Sequence, residues 1–143
     1  MYRIYLDNCC FNRPYDDQSL LKIQLETEAK LFIQQSIILR KYELVWSYIL
    51  EFENNQNPYS DRRISIRGWK EIAKIHCVET DEIIALAEDF YKFGIKTKDA
   101  LHIACGIYSK ADYLITTDKK LYTVPIKDIK IVNPITFIND EEE

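Results

Sequence analysis

The chain has 143 residues, of which 47% are hydrophobic and 13% are aromatic. This composition is typical of one globular domain with a buried core, and it excludes a disordered chain. No apolar run reaches the roughly 18 residues of a membrane span, and the N-terminus has no signal-peptide pattern. We therefore expect a soluble, cytoplasmic protein. Its four cysteines show neither a CxxC pair nor a zinc-type spacing, and we expect them to stay reduced.

The acidic residues are unevenly distributed along the chain. There are 23 acidic and 19 basic residues, which gives a net charge of −4. Residues 140–143 are all acidic, and we expect them to form a disordered tail behind a single domain over residues 1–139. Without these residues the charges of the body balance. An acidic pI therefore does not exclude a nucleic-acid substrate, above all if several of the remaining acids bind a metal ion.

Predicted strands and helices alternate along the chain. Apolar runs predict strands at residues 2–6, 43–46, 113–115 and 129–132, and a further short one at 135–138. Helical periodicity, with caps at Ser47 and Thr80, predicts helices at 18–41, 48–55, 59–75, 81–92 and 97–108. A polar loop at 11–17 and an extended link at 76–79 are predicted between them. This order predicts an α/β sandwich with a central parallel sheet covered by helices on both faces.

Two of the predicted helices have distinct faces. The helix at 18–41 is amphipathic, and its core-facing side is expected to be formed by Leu21, Leu25, Ala29, Phe32, Ile33 and Leu39. The helix at 59–75 carries a basic stripe: Arg63, Arg67, Lys70 and Lys74, with Arg62 beside it. Such a stripe is more often a solvated face than a phosphate-binding surface, although it fits both.

Two predicted strands end in an aspartate. Asp7 follows the strand at 2–6, and Asp118 follows the strand at 113–115 in a Thr-Thr-Asp sequence. The carboxyl ends of parallel strands share one edge of the sheet, which is where ligands bind in open α/β sheets. If the two strands are neighbours, about 4.8 Å apart, their aspartates lie within reach of one metal ion. Taken alone, an aspartate at a strand end is more often a turn or cap residue.

Two predicted helices supply further candidate acids. Asp99 lies in the first turn of its helix, where the helix dipole favours a carboxylate. In the sequence SYILEFE, Glu51 and Glu53 are both candidates, and they cannot face one site because they lie about 200° apart around the helix. Glu53 is on the more apolar side of the helix and is preferred, with Glu51 left as the alternative.

Converging carboxylates repel one another unless cations or protons neutralise them. Oxygen ligands suit the hard ions Mg²⁺ and Mn²⁺. Such sites are typical of phosphodiester hydrolysis, in which the ions activate water and stabilise charge on the phosphate. The joint pattern of Asp7, Glu53, Asp99 and Asp118 therefore predicts a metal-dependent nuclease.

The segments that carry these acids are IYLDNCCFNRP, SYILEFE, KDALHIA and YLITTD. Together they resemble the motif set of PIN-domain proteins, in the same order and over nearly the whole chain. The resemblance implies a PIN-like three-layer sandwich with four or five parallel strands, and an Mg²⁺- or Mn²⁺-dependent endoribonuclease. It implies that the four acids are the catalytic metal ligands and that Asn8 and Thr116 support the site. Asn8 departs from the Thr or Ser that many members carry there.

The resemblance also implies partners. Many small PIN proteins are the toxins of VapBC-type toxin–antitoxin pairs, and they dimerise. The expected partners are therefore an RNA substrate, an antitoxin protein and a second copy of the chain, with no membrane involved. The alternative is a catalytically silent PIN-fold module that acts by binding protein or RNA, and the intact set of acids argues against it.

Several residues near the candidate acids invite secondary roles. Basic residues that flank the predicted ligands are expected to steer RNA into the site: Lys96, Lys98 and Lys119. Arg13 and Asn12, just past the first strand, are expected either to contact substrate or to hold their loop. His102, three residues after Asp99, is more typical of a buried, hydrogen-bonded histidine than of a general base.

Overall fold

The structure is a computed structural model that describes residues 1–142. Its strands are β1 (Tyr2–Leu6), β2 (Tyr42–Ser47), β3 (Ile75–Cys77), β4 (Tyr113–Ile115) and β5 (Lys130–Val132). The helices are α1 (Asn8–Asn12), α2 (Leu21–Ile38), α3 (Tyr48–Asn55), α4 (Ser60–Ile72), α5 (Asp81–Tyr91), α6 (Thr97–Tyr108), α7 (Lys119–Tyr122) and α8 (Pro134–Glu142). Among the residues described, no helix has the length and apolar character needed to cross a membrane.

All five strands form one parallel sheet in the order β3-β2-β1-β4-β5. The central strand β1 pairs with β2 on one side, and on the other side with β4, where Leu6 lies opposite Ile115. The chain changes direction across the sheet at this pair, which makes the carboxyl ends of β1 and β4 the switch point where α/β proteins bind ligands. The predicted α/β fold with a central parallel sheet is confirmed, with five strands.

Successive residues of β4 identify the two faces of the sheet, because neighbouring side chains in a strand point to opposite sides. The ring of Tyr113 packs edge-on against Phe137 of α8, with 4.9 Å between the ring centroids, and α8 packs against α2. Leu114 lies on the other face, next to Gly106 of α6, and α6 packs against α5. The sheet is therefore the middle of three layers.

The chain leaves β1 through a short helix that takes up the first two residues of the loop predicted at 11–17. Asp7 caps α1, since its Oδ1 accepts a hydrogen bond of 2.7 Å from the backbone nitrogen of Asn8. Cys10 and Phe11 are buried in the core, and a 3-10 turn at Arg13–Tyr15 follows. Burial of these two apolar side chains favours a helix where the polar sequence indicates a loop.

The C-terminal segment is helical where the sequence predicts a strand at 135–138. Asn133 starts α8, because its Oδ1 accepts a hydrogen bond of 2.8 Å from the backbone nitrogen of Ile135. Phe137 is fully buried against the sheet. The helix continues through residues 140–142, so most of the predicted acidic tail is helical, and Glu143 lies outside the described residues.

Helix α2 turns a different side to the sheet than its apolar pattern predicts. Of the predicted side only Ala29 and Ile33 are buried, and the remaining members are exposed: Leu21, Leu25, Phe32 and Leu39. The buried side includes polar residues instead: Glu26, Thr27, Lys30, Gln34 and Ser36. Glu26 can be fully buried because its carboxylate accepts hydrogen bonds from Arg13, at 2.7 Å, and from Asn133. These partners from other parts of the chain decide which side of α2 faces inward.

Candidate functional site

A cavity of about 310 Å³ opens at the carboxyl edge of the sheet. Its walls carry all four predicted acids: Asp7, Glu53, Asp99 and Asp118. Asn8, Cys9, Asn12 and Asp16 complete the lining. The acids come from the end of β1, from α3, from the start of α6 and from the segment after β4. The parallel sheet and the helices around it thus bring side chains from four parts of the sequence to one place.

Asp7 is the most enclosed of the four acids, with 6% of its surface exposed. Its Oδ2 accepts a hydrogen bond of 2.9 Å from the Thr116 hydroxyl, while its Oδ1 accepts from the Asn8 backbone. The Thr116 hydroxyl oxygen in turn accepts a hydrogen bond of 3.1 Å from the backbone nitrogen of Asp118. These contacts hold the Asp7 carboxylate in one orientation, and they put both predicted support residues next to it.

The two glutamates of α3 have different surroundings. Glu53 lines the cavity, whereas Glu51 forms an ion pair of 2.8 Å with Lys70 of α4 and lies 3.9 Å from Arg67. Their spacing of two residues puts them on different sides of the helix. The structure therefore brings Glu53, and not Glu51, to the other acids.

Asp99 and Asp118 lie at helix starts. Asp99 is in the first turn of α6 and is partly buried. Burial raises the pKa of Asp99, and the nearby carboxylates of Asp7 and Asp118 raise it further. Asp118 caps α7, with its Oδ1 accepting a hydrogen bond of 3.0 Å from the backbone nitrogen of Lys120. The crowding of carboxylates therefore disfavours the ionised form of Asp99 as long as no cation lies among them.

His102 of α6 is buried, with 1% of its surface exposed, and it contacts two of the acids. Its Nε2 is hydrogen-bonded to Glu53 and lies 3.6 Å from Asp7 Oδ1. Its Nδ1 lies 2.5 Å from the Tyr5 hydroxyl. Burial lowers the pKa of His102, but the Asp7 and Glu53 carboxylates more than offset this effect, so the pKa is raised. The expectation of a buried, hydrogen-bonded histidine is confirmed.

The side chains present fit a divalent cation. One carboxylate oxygen each of Asp7 and Glu53 and one ring nitrogen of His102 lie within 4.8 Å of one another. Asp99 and Asp118 are outside this closest group but line the same cavity. A set dominated by carboxylate oxygens suits Mg²⁺ or Mn²⁺.

Part of the cavity wall is not predicted from the sequence. The thiol of Cys9 lies 3.4 Å from Asp7 Oδ2 and 3.3 Å from the Thr116 hydroxyl. Asn12, for which a substrate contact or a loop role is expected, lines the cavity nearby. If the chain after Asp7 were extended instead of helical, the Cys9 side chain would not turn back toward the Asp7 carboxylate. The available signal is the Asp7-Asn8 pair, because aspartate is a strong N-cap, and a helix starting there turns Cys9 back toward its own cap.

Arg13 is engaged within the protein. Its guanidinium donates hydrogen bonds to Glu26 Oε1 at 2.7 and 3.0 Å, and to Asp16 Oδ2 at 3.0 Å. These contacts fasten the turn after α1 to helix α2. Of the two roles expected for Arg13, the structural one accounts for the observed contacts.

The other basic residues divide into two groups. The three lysines predicted to steer RNA are exposed: Lys96, Lys98 and Lys119. Several members of the basic stripe on α4 have partners within the protein, since Lys70 pairs with Glu51 and Arg63 donates a hydrogen bond of 2.8 Å to the carbonyl of Asn57. The lysines remain candidates for RNA binding, whereas this part of the stripe has structural contacts.

Comparisons with known proteins bear on the fold. No protein-family model and no curated protein matches the chain. Among solved structures, the chain is similar to VapBC2 from Rickettsia felis, whose crystal structure holds a DNA fragment from the VapBC2 promoter. The TM-score is 0.57 at 11% sequence identity, and the match covers 92% of this chain and 98% of that chain. At this identity the likeness shows the fold alone, and the fold is consistent with the PIN-like sandwich that the sequence motifs imply.

Proposed function

We propose that the protein is a metal-dependent endoribonuclease in which Asp7, Glu53, Asp99 and Asp118 hold Mg²⁺ or Mn²⁺. The observation that carries the proposal is the convergence of these four carboxylates on one cavity at the switch point of a parallel sheet. A bound divalent ion supplies activation of water and stabilisation of charge on the phosphate. The protein's own part is to hold the carboxylates in place, as Thr116 does for Asp7.

Electrostatics favour a cation-binding role over a silent binding module. The pKa of Asp99 is raised by burial and by the carboxylates of Asp7 and Asp118, so the cluster is costly to ionise by itself. A divalent cation among these groups offsets the repulsion and lets them stay ionised at neutral pH. A module that acted only through protein contacts would gain nothing from this cost.

The surface next to the cavity fits single-stranded RNA. Arg62 of α4 stacks on the rings of Tyr59 and Tyr15, with its Cζ 3.9 and 4.9 Å from the two ring centroids. Both tyrosines are exposed, and Tyr15 directly precedes Asp16 of the cavity wall. Aromatic rings and arginine side by side offer stacking for unpaired bases and charge for phosphates. The exposed lysines add to this charge: Lys96, Lys98 and Lys119.

A toxin role, with an antitoxin protein as partner, extends the proposal. The solved structure with the similar fold is of VapBC2 with promoter DNA, and transfer of its role to this chain is an analogy between folds. Reduced thiols fit a reducing compartment such as the cytoplasm, and all four cysteines are free. An open reading frame for a small protein next to the gene would favour the toxin role.

The exposed side of α2 is the candidate surface for a homodimer. Leu21, Leu25 and Phe32 are spaced by four and seven residues, so they lie on one side of the helix. They are 68%, 45% and 53% exposed. Contiguous exposed apolar side chains mark interaction surfaces, and a second copy could cover this stripe with its own in a two-fold arrangement.

The decisive experiment is incubation of the purified protein with a mixed RNA pool, with Mn²⁺, with Mg²⁺ and with EDTA. We expect cleavage that needs the metal and is lost in Asp7→Asn and in Asp99→Asn. The matched control is Asp89→Asn on α5, an exposed acid whose contact is Lys92 at 3.7 Å. Cleavage that survives both site substitutions would refute the assignment, and a folded wild type that cleaves under no condition would favour the silent module.

A further inference from the structure

Behind the cavity, a continuous series of hydrogen bonds connects buried side chains. The Ser47 hydroxyl oxygen accepts a hydrogen bond of 3.2 Å from the backbone nitrogen of Leu50. Its oxygen lies 2.6 Å from the Tyr5 hydroxyl, which in turn lies 2.5 Å from His102 Nδ1. On the opposite side of the ring, His102 Nε2 reaches the carboxylate of Glu53. The series therefore starts at the backbone of α3, passes through β2, β1 and α6, and ends at Glu53 of α3.

The chemistry of the groups fixes which nitrogen of His102 carries a hydrogen. An ionised Glu53 can only accept, so Nε2 must donate to it, in the neutral and in the protonated ring alike. In the neutral ring Nδ1 is then an acceptor and Tyr5 donates to it. Ser47, which already accepts from Leu50, has its own hydrogen free to donate to Tyr5. Every contact in the series, from Ser47 through Tyr5 and His102 to Glu53, thus has one donor and one acceptor.

Burial makes this series rigid. Tyr5 and Ser47 are fully buried, and His102 nearly so, so water does not compete for their hydrogen bonds. Glu53 is the member that reaches the cavity. A glutamate side chain has several rotamers available, and the contact with His102 selects one of them.

Resting on the proposed function, we propose that His102 and Tyr5 are positioning residues that hold the Glu53 carboxylate in its metal-binding orientation, with Nε2–H of His102 as the donor. His102 is accordingly an outer partner of the metal site, since a nitrogen that donates to Glu53 has no lone pair for a cation. Hydrogen bonds from such outer partners typically account for about 10–100-fold in metal affinity. The role is distinct from that of a general base.

The first test needs neither metal nor a variant in the site. The protein has two histidines, His76 and His102, so ¹⁵N-labelled histidine gives two ring spectra, and His76→Asn assigns them. We expect the metal-free protein to show hydrogen on Nε2 of His102 and a downfield proton shared with a carboxylate, which disappears in Glu53→Gln. A ring with bare Nε2 and hydrogen on Nδ1 alone would overturn the proposal.

The second test measures Mn²⁺ affinity by electron paramagnetic resonance of the free ion. We expect His102→Leu to weaken binding about 10–100-fold, and His102→Gln, which keeps one amide donor and one acceptor, to recover most of it. Tyr5→Phe removes one hydroxyl and keeps the ring. It is the second, milder variant, which keeps the test valid if His102→Leu fails to fold, and it should also weaken binding. Circular dichroism and thermal melting establish that each variant is folded.

The outcomes separate this inference from the function on which it rests. Wild type that does not bind Mn²⁺ would overturn the proposed function together with the role of the series. Tight binding by wild type, matched by folded His102→Leu or by Tyr5→Phe, would overturn the positioning role alone. Weaker binding in both variants, with recovery in His102→Gln, supports it.

Discussion

The hydroxyl of Thr116 donates a hydrogen bond of 2.9 Å to Oδ2 of Asp7. The two residues follow the paired strands β4 and β1 directly, so the contact joins the ends of the two strands that meet at the switch point. The same hydroxyl oxygen accepts a hydrogen bond from the backbone nitrogen of Asp118. A single side chain therefore contacts the carboxylate of one acid and the backbone of the other. Its effect on the proposed metal site can be measured separately from that of the acids themselves.

Replacing Thr116 with Val removes the hydroxyl and keeps a side chain of the same shape. We expect Mn²⁺ binding to weaken by about tenfold, because Asp7 loses the donor that fixes its carboxylate. Thr116→Ser keeps the hydroxyl and is the matched control, for which near-normal binding is expected. Equal affinity in Thr116→Val and wild type would show that Asp7 does not need this donor.

Cys9 should be the reactive thiol of the native protein. It is partly exposed and lines the cavity, while the other three cysteines are buried in the described structure: Cys10, Cys77 and Cys105. We expect a maleimide to label one thiol, at Cys9, with loss of metal binding because the adduct fills the space beside Asp7. Peptide mass mapping identifies the labelled position. Cys9→Ala is the control and should resist labelling; rapid labelling of that variant would contradict the described burial of the other thiols.

Lys30 should destabilise the protein in a pH-dependent way. Burial lowers the pKa of Lys30 from its ordinary value of 10.5 to about 8. Below pH 8 the side chain is charged in both states, and the folded state bears the full cost, about 3 kcal/mol. As the pH rises from 8 to 10.5 the folded state loses this proton first, so the cost disappears and stability rises.

The corresponding measurement is urea unfolding of wild type and of Lys30→Met over pH 7 to 10.5. We expect the variant to be more stable at pH 7, and the difference to shrink as the pH approaches 10.5. Lys22→Met, an exposed position on the same helix, is the control and should change little. A difference that stays constant with pH would contradict the lowered pKa.

The stripe on α2 should determine the oligomeric state. If a second copy covers Leu25 and Phe32, a charge at either position destabilises the dimer, since a buried unpaired charge is costly. We expect light scattering after size exclusion to report a dimer for wild type and a monomer for Phe32→Asp. Ile64→Asp on α4, at a side chain that is 70% exposed, is the control and should remain dimeric. A dimer that persists in Leu25→Asp/Phe32→Asp, whose like charges cannot pair, would exclude this surface.

The parts of the fold that local patterns determine are predicted well, and the remainder depends on distant contacts. The strands at 2–6 and 113–115 agree with β1 and β4, because continuous apolar runs suit a sheet buried on both faces. The run at 135–138 has four residues, a length at which helix and strand cannot be separated by pattern, and the structure makes it helical. The orientation of α2 depends on Glu26, whose partners Arg13 and Asn133 are far away in sequence.

The candidate site shows the same division. Asp7 and Asp118 are signalled by strand ends and Asp99 by a helix start, while Glu53 is preferred over Glu51 by its apolar side of the helix. The set can therefore be assembled from sequence, and the structure brings its members to one cavity. The surroundings have no such signal. The contact between Tyr5 of β1 and His102 of α6 joins residues 97 positions apart, and only the three-dimensional structure reveals it.

The wide spacing of the acids along the chain has a thermodynamic consequence. Since Asp7 follows the first strand and Asp118 follows the fourth, the complete set exists only once these two strands have paired. An ion that binds this set binds the native state and not the unfolded chain, so loading and folding are linked, and stability rises with the logarithm of the free ion concentration once the site is mostly filled. Withdrawal of the ion from the proposed site is therefore expected to make the chain more susceptible to proteolysis.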